Sequence, residues 1–94
     1  MTERLPSNFP PGAAMWTHRL TRRRAIAAKV FPSNRLALAA WVRGDPWGMG
    51  VIVPTANGGE MHAELGSVIV ARHDGWFDVW SAEKWDQQWK RSSE

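Results

Sequence analysis

The sequence predicts a small, mainly β domain closed by a docked C-terminal helix, and three stretches carry that prediction. Val68-Ile69-Val70 and Phe77-Asp78-Val79-Trp80 are β-branched and aromatic runs on either side of Asp74-Gly75, a pair that tolerates positive φ in a tight turn. Gly50-Val51-Ile52-Val53-Pro54 is a short apolar strand closed by proline. Ser81, Glu83, Trp85 and Trp89 supply the cap, the first-turn acid and the apolar face of a helix of about ten residues, which is too short to persist unless it docks.

Taken in order, residues 1–14 hold Pro6, Pro10, Pro11 and Gly12 without periodicity and read as a flexible N-terminal arm, leaving 15–94 as a single small domain. The next stretch supports two readings. Thr21 can cap an N-terminal helix over 21–30, with Leu20, Ala27 and Val30 along one side and Pro32 ending it. Equally, 25–31 and 35–42 can be two strands joined at Pro32-Ser33-Asn34. The helix is preferred for 21–30. Over 35–42, Leu36, Leu38, Ala40 and Val42 alternate with Arg35, Ala37, Ala39 and Trp41, a period of two that suits a strand. Gly44 to Gly48 is then a turn, and Gly58-Gly59 argues against a long helix in the polar stretch that follows Pro54.

With Asp74-Gly75 as a two-residue loop, the hairpin over 66–80 pairs His73 with Trp76, Arg72 with Phe77, Ala71 with Asp78, Val70 with Val79 and Ile69 with Trp80. One face then carries Val68, Val70, Phe77 and Val79, and the other Ile69, Ala71, Trp76 and Trp80 around Asp78. The second face needs a cover. Downstream, Trp80 and Trp85 sit at the two ends of a hydrophobic staple around Ser81, so the helix is the natural cover.

Ninety-four residues with 44% hydrophobic content suffice for one modest core. The absence of cysteine removes a disulfide framework and thiolate metal sites, and favours a reducing compartment. No run is long enough to span a membrane and the N-terminus lacks the apolar core of a signal peptide, so a cytoplasmic protein without a membrane partner is expected. Charge is unevenly placed: residues 1–47 hold eight basic and two acidic side chains, net +6, whereas 48–94 hold four and seven, net −3. An anionic partner would be drawn to the N-terminal half.

Catalysis finds little support. His62-Ala63-Glu64 matches the opening of a zinc-deaminase signature, but that chemistry requires cysteine ligands further on. Asp74 is explained by the turn and Asp78 lies on a strand face among tryptophans, so with His73 they read as solvated residues, and no serine or glycine run has nucleophile-elbow or phosphate-loop spacing. No metal site and no cofactor is implied. The constellation suited to phosphate is Arg22-Arg23-Arg24 with Arg19, Lys29, Arg35 and Arg43, because guanidinium groups form paired hydrogen bonds to phosphate oxygens. Seven tryptophans exceed what one small core encloses comfortably, so some of Trp16, Trp41, Trp47 and Trp76 should reach the surface as base-stacking or protein-anchoring groups.

Asp45-Pro46-Trp47-Gly48, an apolar strand ending in Pro54, about a dozen residues and then Ser67 to Trp80 together resemble, in order and spacing, the swapped-hairpin repeat of AbrB and MraZ-type transcription regulators. The ending from Phe77 to Lys90 is similar to the strand-to-helix ending of the MraZ family. The resemblance covers about residues 36–91 and implies a small β-barrel that binds DNA as a dimer or larger ring. The chain departs from the family at Gly48-Met49-Gly50 and at Ala56-Asn57-Gly58-Gly59, where the DNA-contacting arginines would stand. The glycine-led strand, the polar loop and Asp74-Gly75-Trp76 also resemble a Src-homology-3-like barrel. The expectation is therefore a non-enzymatic binding protein with two readings. One is a DNA-associated regulator that contacts nucleic acid through its basic N-terminal region and forms a homo-oligomer. The other is a protein-binding inhibitor or adaptor of phage or plasmid type acting through exposed Trp and Arg.

Overall fold

The computed structural model describes residues 9–92, so the first eight residues of the expected arm lie outside the described part. From Pro10 onward the chain is tied in: the Ala13 amide donates to Pro10 O, and Pro11 O accepts from the Asn34 side chain. The elements are β1 (Ala13–His18), β2 (Arg24–Lys29), α1 (Arg35–Val42), β3 (Asp45–Trp47), β4 (Gly50–Pro54), β5 (Glu60–Ala63), β6 (Val68–Ala71), β7 (Phe77–Trp80), α2 (Ala82–Gln88) and β8 (Trp89–Arg91). They form a five-stranded sheet ordered β7-β6-β2-β1-β8 and a three-stranded sheet ordered β3-β4-β5, with every pairing antiparallel. The protein is thus mainly β with a short C-terminal helix, and no closed barrel is found among the described residues.

Two expectations are corrected. The preferred helix over 21–30 is instead β2, held between β1 and β6. Ala27 and Ala28 are both buried, one in each of the two core clusters, so this segment meets apolar layers on both sides as a central strand does. The expected strand over 35–42 is instead α1. Its buried residues are Leu38, Ala39 and Val42, an i, i+1, i+4 set that fits a helical stripe, and its alanines are strong helix formers. The Leu/Ala alternation has a period of two only because alanine counts as apolar without having to be buried.

The larger core lies between one face of the five-stranded sheet and a layer made of α1 and the three-stranded sheet. It contains Ala28, Val30, Leu38, Val42, Val51, Val53 and Ile69, with Trp41, Phe77 and Val79 packed around it. The smaller core lies on the opposite face, where Ala27, Val68, Val70 and Trp16 meet Trp85 of α2. The chain therefore forms three layers, with the five-stranded sheet in the middle. Asn34, only 3% exposed, joins three segments across this arrangement. Its Oδ1 accepts from the Phe31 amide (2.8 Å) and its Nδ2 donates to Pro11 O (3.0 Å) and Lys29 O (2.9 Å).

The β6–β7 hairpin exists as expected, but one residue out of the expected register. Val68 faces Trp80, Ile69 faces Val79, Val70 faces Asp78 and Ala71 faces Phe77. The cause is the turn: the Arg72 amide donates to Trp76 O, Gly75 sits at φ +88°, and Asp74 Oδ1 accepts from the Trp76 amide. The connection is a three-residue loop ending in a left-handed glycine, not the two-residue loop that Asp-Gly suggests. Shifting by one residue regroups the faces. Val68, Val70, Asp78 and Trp80 face α2, and Ile69, Phe77 and Val79 face the larger core.

The helix α2 follows its sequence signals closely. Ser81 Oγ accepts from the Lys84 amide (3.3 Å), Glu83 stands in the first turn, and Trp80 and Trp85 close the staple with ring centroids 5.5 Å apart. It stops after seven residues, because Trp89 turns to extended backbone and begins β8 on the outer edge of β1.

Candidate nucleic-acid interface

Local geometry gathers four of the predicted arginines at one end of the five-stranded sheet. The chain turns between β1 and β2 through residues 19–23, with Arg22 in the left-handed region at φ +63°. His18 shapes this turn: its Nδ1 accepts from the Leu20 and Thr21 amides at 3.2 and 3.1 Å, and its ring packs edge-on against Trp89 at 5.0 Å. Thr21 Oγ1 accepts from the Arg23 amide, and Arg19 Nε donates to Asp86 O. Arg19, Arg22, Arg23 and Arg24 are all exposed.

The β2–β6 ladder ends at the Ala27–Val70 pair, and beyond it the 19–23 turn and the 72–76 turn part around an open cleft of about 910 Å³. Arg23 and Arg24 line one lip, Arg72, Asp74 and Asp78 the other, and Trp80, Trp85 and Trp89 lie beneath. On the second lip two carboxylates share one guanidinium, which leaves one negative charge in excess. Arg72 Nη2 lies 2.6 Å from Asp74 Oδ2, and its Nη1 lies 3.5 Å from Asp78 Oδ1. One lip of the cleft therefore carries two arginines and the other a guanidinium held between two carboxylates, over an aromatic floor.

That floor is part of a four-tryptophan cluster. Trp85 stacks on Trp89 at 4.7 Å with 7° between the planes, and meets Trp16 and Trp80 edge-on at 5.6 and 5.5 Å. The Nε1 atoms of Trp16, Trp85 and Trp89 are buried without a nitrogen or oxygen partner. The edge-on contacts place aromatic faces beside these rings, the weaker acceptor available in such a cluster.

The remaining predicted basic residues are elsewhere. Lys29, at the far end of β2, pairs with Asp86 at 3.1 Å and lies 5.9 Å from the Trp16 ring centroid, where it ties α2 to the sheet. Arg35, in the first turn of α1, donates through Nη1 to Gly50 O (3.3 Å). Arg43 caps the C-terminus of α1 at φ +59°. Arg35 and Arg43 do not join the arginine turn, whereas the Lys29 side chain meets Asp86, the residue whose carbonyl Arg19 also holds. Among the predicted tryptophans, Trp47 and Trp76 reach the surface, at 59% and 39% exposure. Trp16 is a core residue at 8%, and Trp41 is half-buried against Phe77 and Phe9.

Sequence reasoning leaves out Arg72 and Trp80 as cleft residues. The signal is present in the hairpin itself, since a turn at Asp74-Gly75 must bring residue 72 to the same sheet end as any turn preceding Arg24. Using it requires the knowledge that β2 neighbours β6. Among the described residues, no helix is long and apolar enough to cross a membrane. No family model, curated protein or solved structure matches the chain.

Proposed function

We propose that the chain is a non-enzymatic nucleic-acid-binding protein that holds phosphates on the 19–24 arginine turn and receives an unstacked base in the adjoining cleft. The observation that carries this reading is the placement of Arg23 and Arg24 on the lip of a cleft floored by tryptophan, with Arg19 and Arg22 exposed on the same turn. Exposed guanidinium groups on one turn suit the charge spacing of a backbone, and an indole face suits any base that has left a duplex. The reading favours single-stranded or locally melted DNA over intact duplex, because a base paired inside a helix offers no face to Trp80. A DNA-associated regulator is the finer form of this proposal.

The test is a salt titration of binding to single-stranded and duplex oligonucleotides of random sequence. Affinity should fall linearly in a double-logarithmic plot and be higher for the single strand. The triple substitution R22A/R23A/R24A should leave the thermal transition nearly unchanged, since exposed charges add little stability. It should also reduce the salt slope by about 1 for each phosphate that is no longer neutralised. Unaltered affinity in the folded triple variant, or salt-independent binding, would overturn the proposal. A protein-binding reading is favoured by a different observation, the exposed Trp47 and its apolar neighbours at the other end of the molecule.

A further inference from the structure

Among the described residues, seven large hydrophobic side chains are exposed, and five of them, Phe31, Leu36, Trp47, Met49 and Leu65, belong to the end of the fold away from the arginine turn. The other two, Leu20 and Trp76, tip the two turns beside the cleft. Trp47, Met49 and Leu65 line one groove of about 340 Å³. Hydrogen bonds bring the remaining two alongside it. Arg35 donates to Gly50 O, which sets the first turn of α1, with Leu36, next to the β3–β4 turn. The Gly66 amide donates to Val30 O and the Val30 amide to Ser67 O, both at 2.9 Å, which sets Phe31 beside Leu65. Leu36 is 65% exposed and Met49 58%, values that isolated surface residues reach but that a cluster of this size on a stable monomer seldom does.

The charges around this cluster indicate what covers it. Glu64 and His62 line the groove, with Glu60 3.7 Å from His62 and Arg35 beside the Gly50 edge, so acids and bases both surround the apolar centre. A strongly anionic or cationic partner would leave one of them opposed by its own sign. A surface carrying both signs about an apolar centre is instead self-complementary, which is what a two-fold contact requires.

We infer that this end is the contact between two copies of the chain, related by a two-fold axis through the Trp47–Met49–Leu65 groove, with Arg35 of each copy set against Glu64 of the other. The contact uses neither the cleft nor the arginine turn, so both nucleic-acid ends face outward in the pair.

Sedimentation equilibrium of the full chain without nucleic acid tests this. The parent protein at about 100 µM should have the mass of a dimer. Met49→Glu, a change at an exposed turn position, should give a folded monomer, whereas Leu20→Glu at the opposite end should leave the dimer unchanged. Arg35→Glu and Glu64→Arg should each weaken association at least tenfold, and the double swap R35E/E64R should restore it. The inference is overturned by a monomeric parent, by a dimer that survives Met49→Glu, or by a double swap no better than the single changes. Circular dichroism of each variant separates loss of association from loss of fold. The experiment contains no oligonucleotide, so its outcome is independent of the nucleic-acid reading.

Discussion

Trp85 touches three other indoles and has no exposed surface, so its removal empties a site that those rings cannot refill without leaving the sheet. Trp85→Ala should cost about 3–5 kcal/mol in chemical denaturation, and Ser81→Ala, which removes one capping bond, about 1 kcal/mol. The same losses should appear with and without oligonucleotide, because both residues act on the fold. These two are legible in the sequence, since cap, first-turn acid and staple are local and lie within six residues of one another. Asn34 is not. Its side-chain partners are the Phe31 amide and the carbonyls of Lys29 and Pro11, and a bond to a residue 23 positions away leaves no trace in spacing or composition. For the same reason sequence alone groups Lys29 with the arginines, although Asp86, 57 positions further on, claims its ammonium group.

Among the elements, the hairpin over β6 and β7, the strand β4 and the helix α2 are readable because each carries its own start or stop residue. The exchange of helix and strand between 21–30 and 35–42 has a different cause. Both stretches are rich in alanine, which fits either state, and what decides between them is the neighbour each one finds. For β2 the neighbours are β1 and β6 on its two edges, and for α1 it is β4 beneath it. The α1–β4 contact is close enough to test. Beyond the C-terminus of α1, Gly44 lies so near the Ile52 carbonyl that an added Cβ would collide with it, and backbone cannot move aside as a side chain can. Gly44→Ala should therefore destabilise by at least the ~1–3 kcal/mol of ordinary core overpacking, seen as a lowered denaturation midpoint. Gly48→Ala would meet no atom within 4 Å and should cost less, even though its φ of +57° disfavours a side chain.

At the scale of the whole molecule, the charge asymmetry and the surplus of tryptophan are visible in the sequence, but their placement is not. Composition places a net +6 in the first half of the chain; the fold then divides the cations of the described residues among the arginine turn, α1 and the α2 contact. For the strand tryptophans, Trp16, Trp47, Trp80 and Trp89, core or surface is decided by strand register, and a one-residue slip in register exchanges the two faces of a strand. The order β7-β6-β2-β1-β8 has a further consequence. β1 is made early, yet among the described residues its outer edge is paired by the late segment Trp89–Arg91, and Thr17 meets Ser92 across 75 positions of sequence. A chain ending at Gln88 should keep most of its hydrophobic content but lose the Trp89 stack and leave β1 as an open edge, and light scattering should show it aggregating where the parent does not. The same arrangement governs the order of events on a ribosome. The β1–β2 hairpin precedes β8 by about sixty residues, and its β1 edge stays unpaired for longer than its β2 edge, which β6 covers first; that interval is several seconds at ~5–20 residues per second.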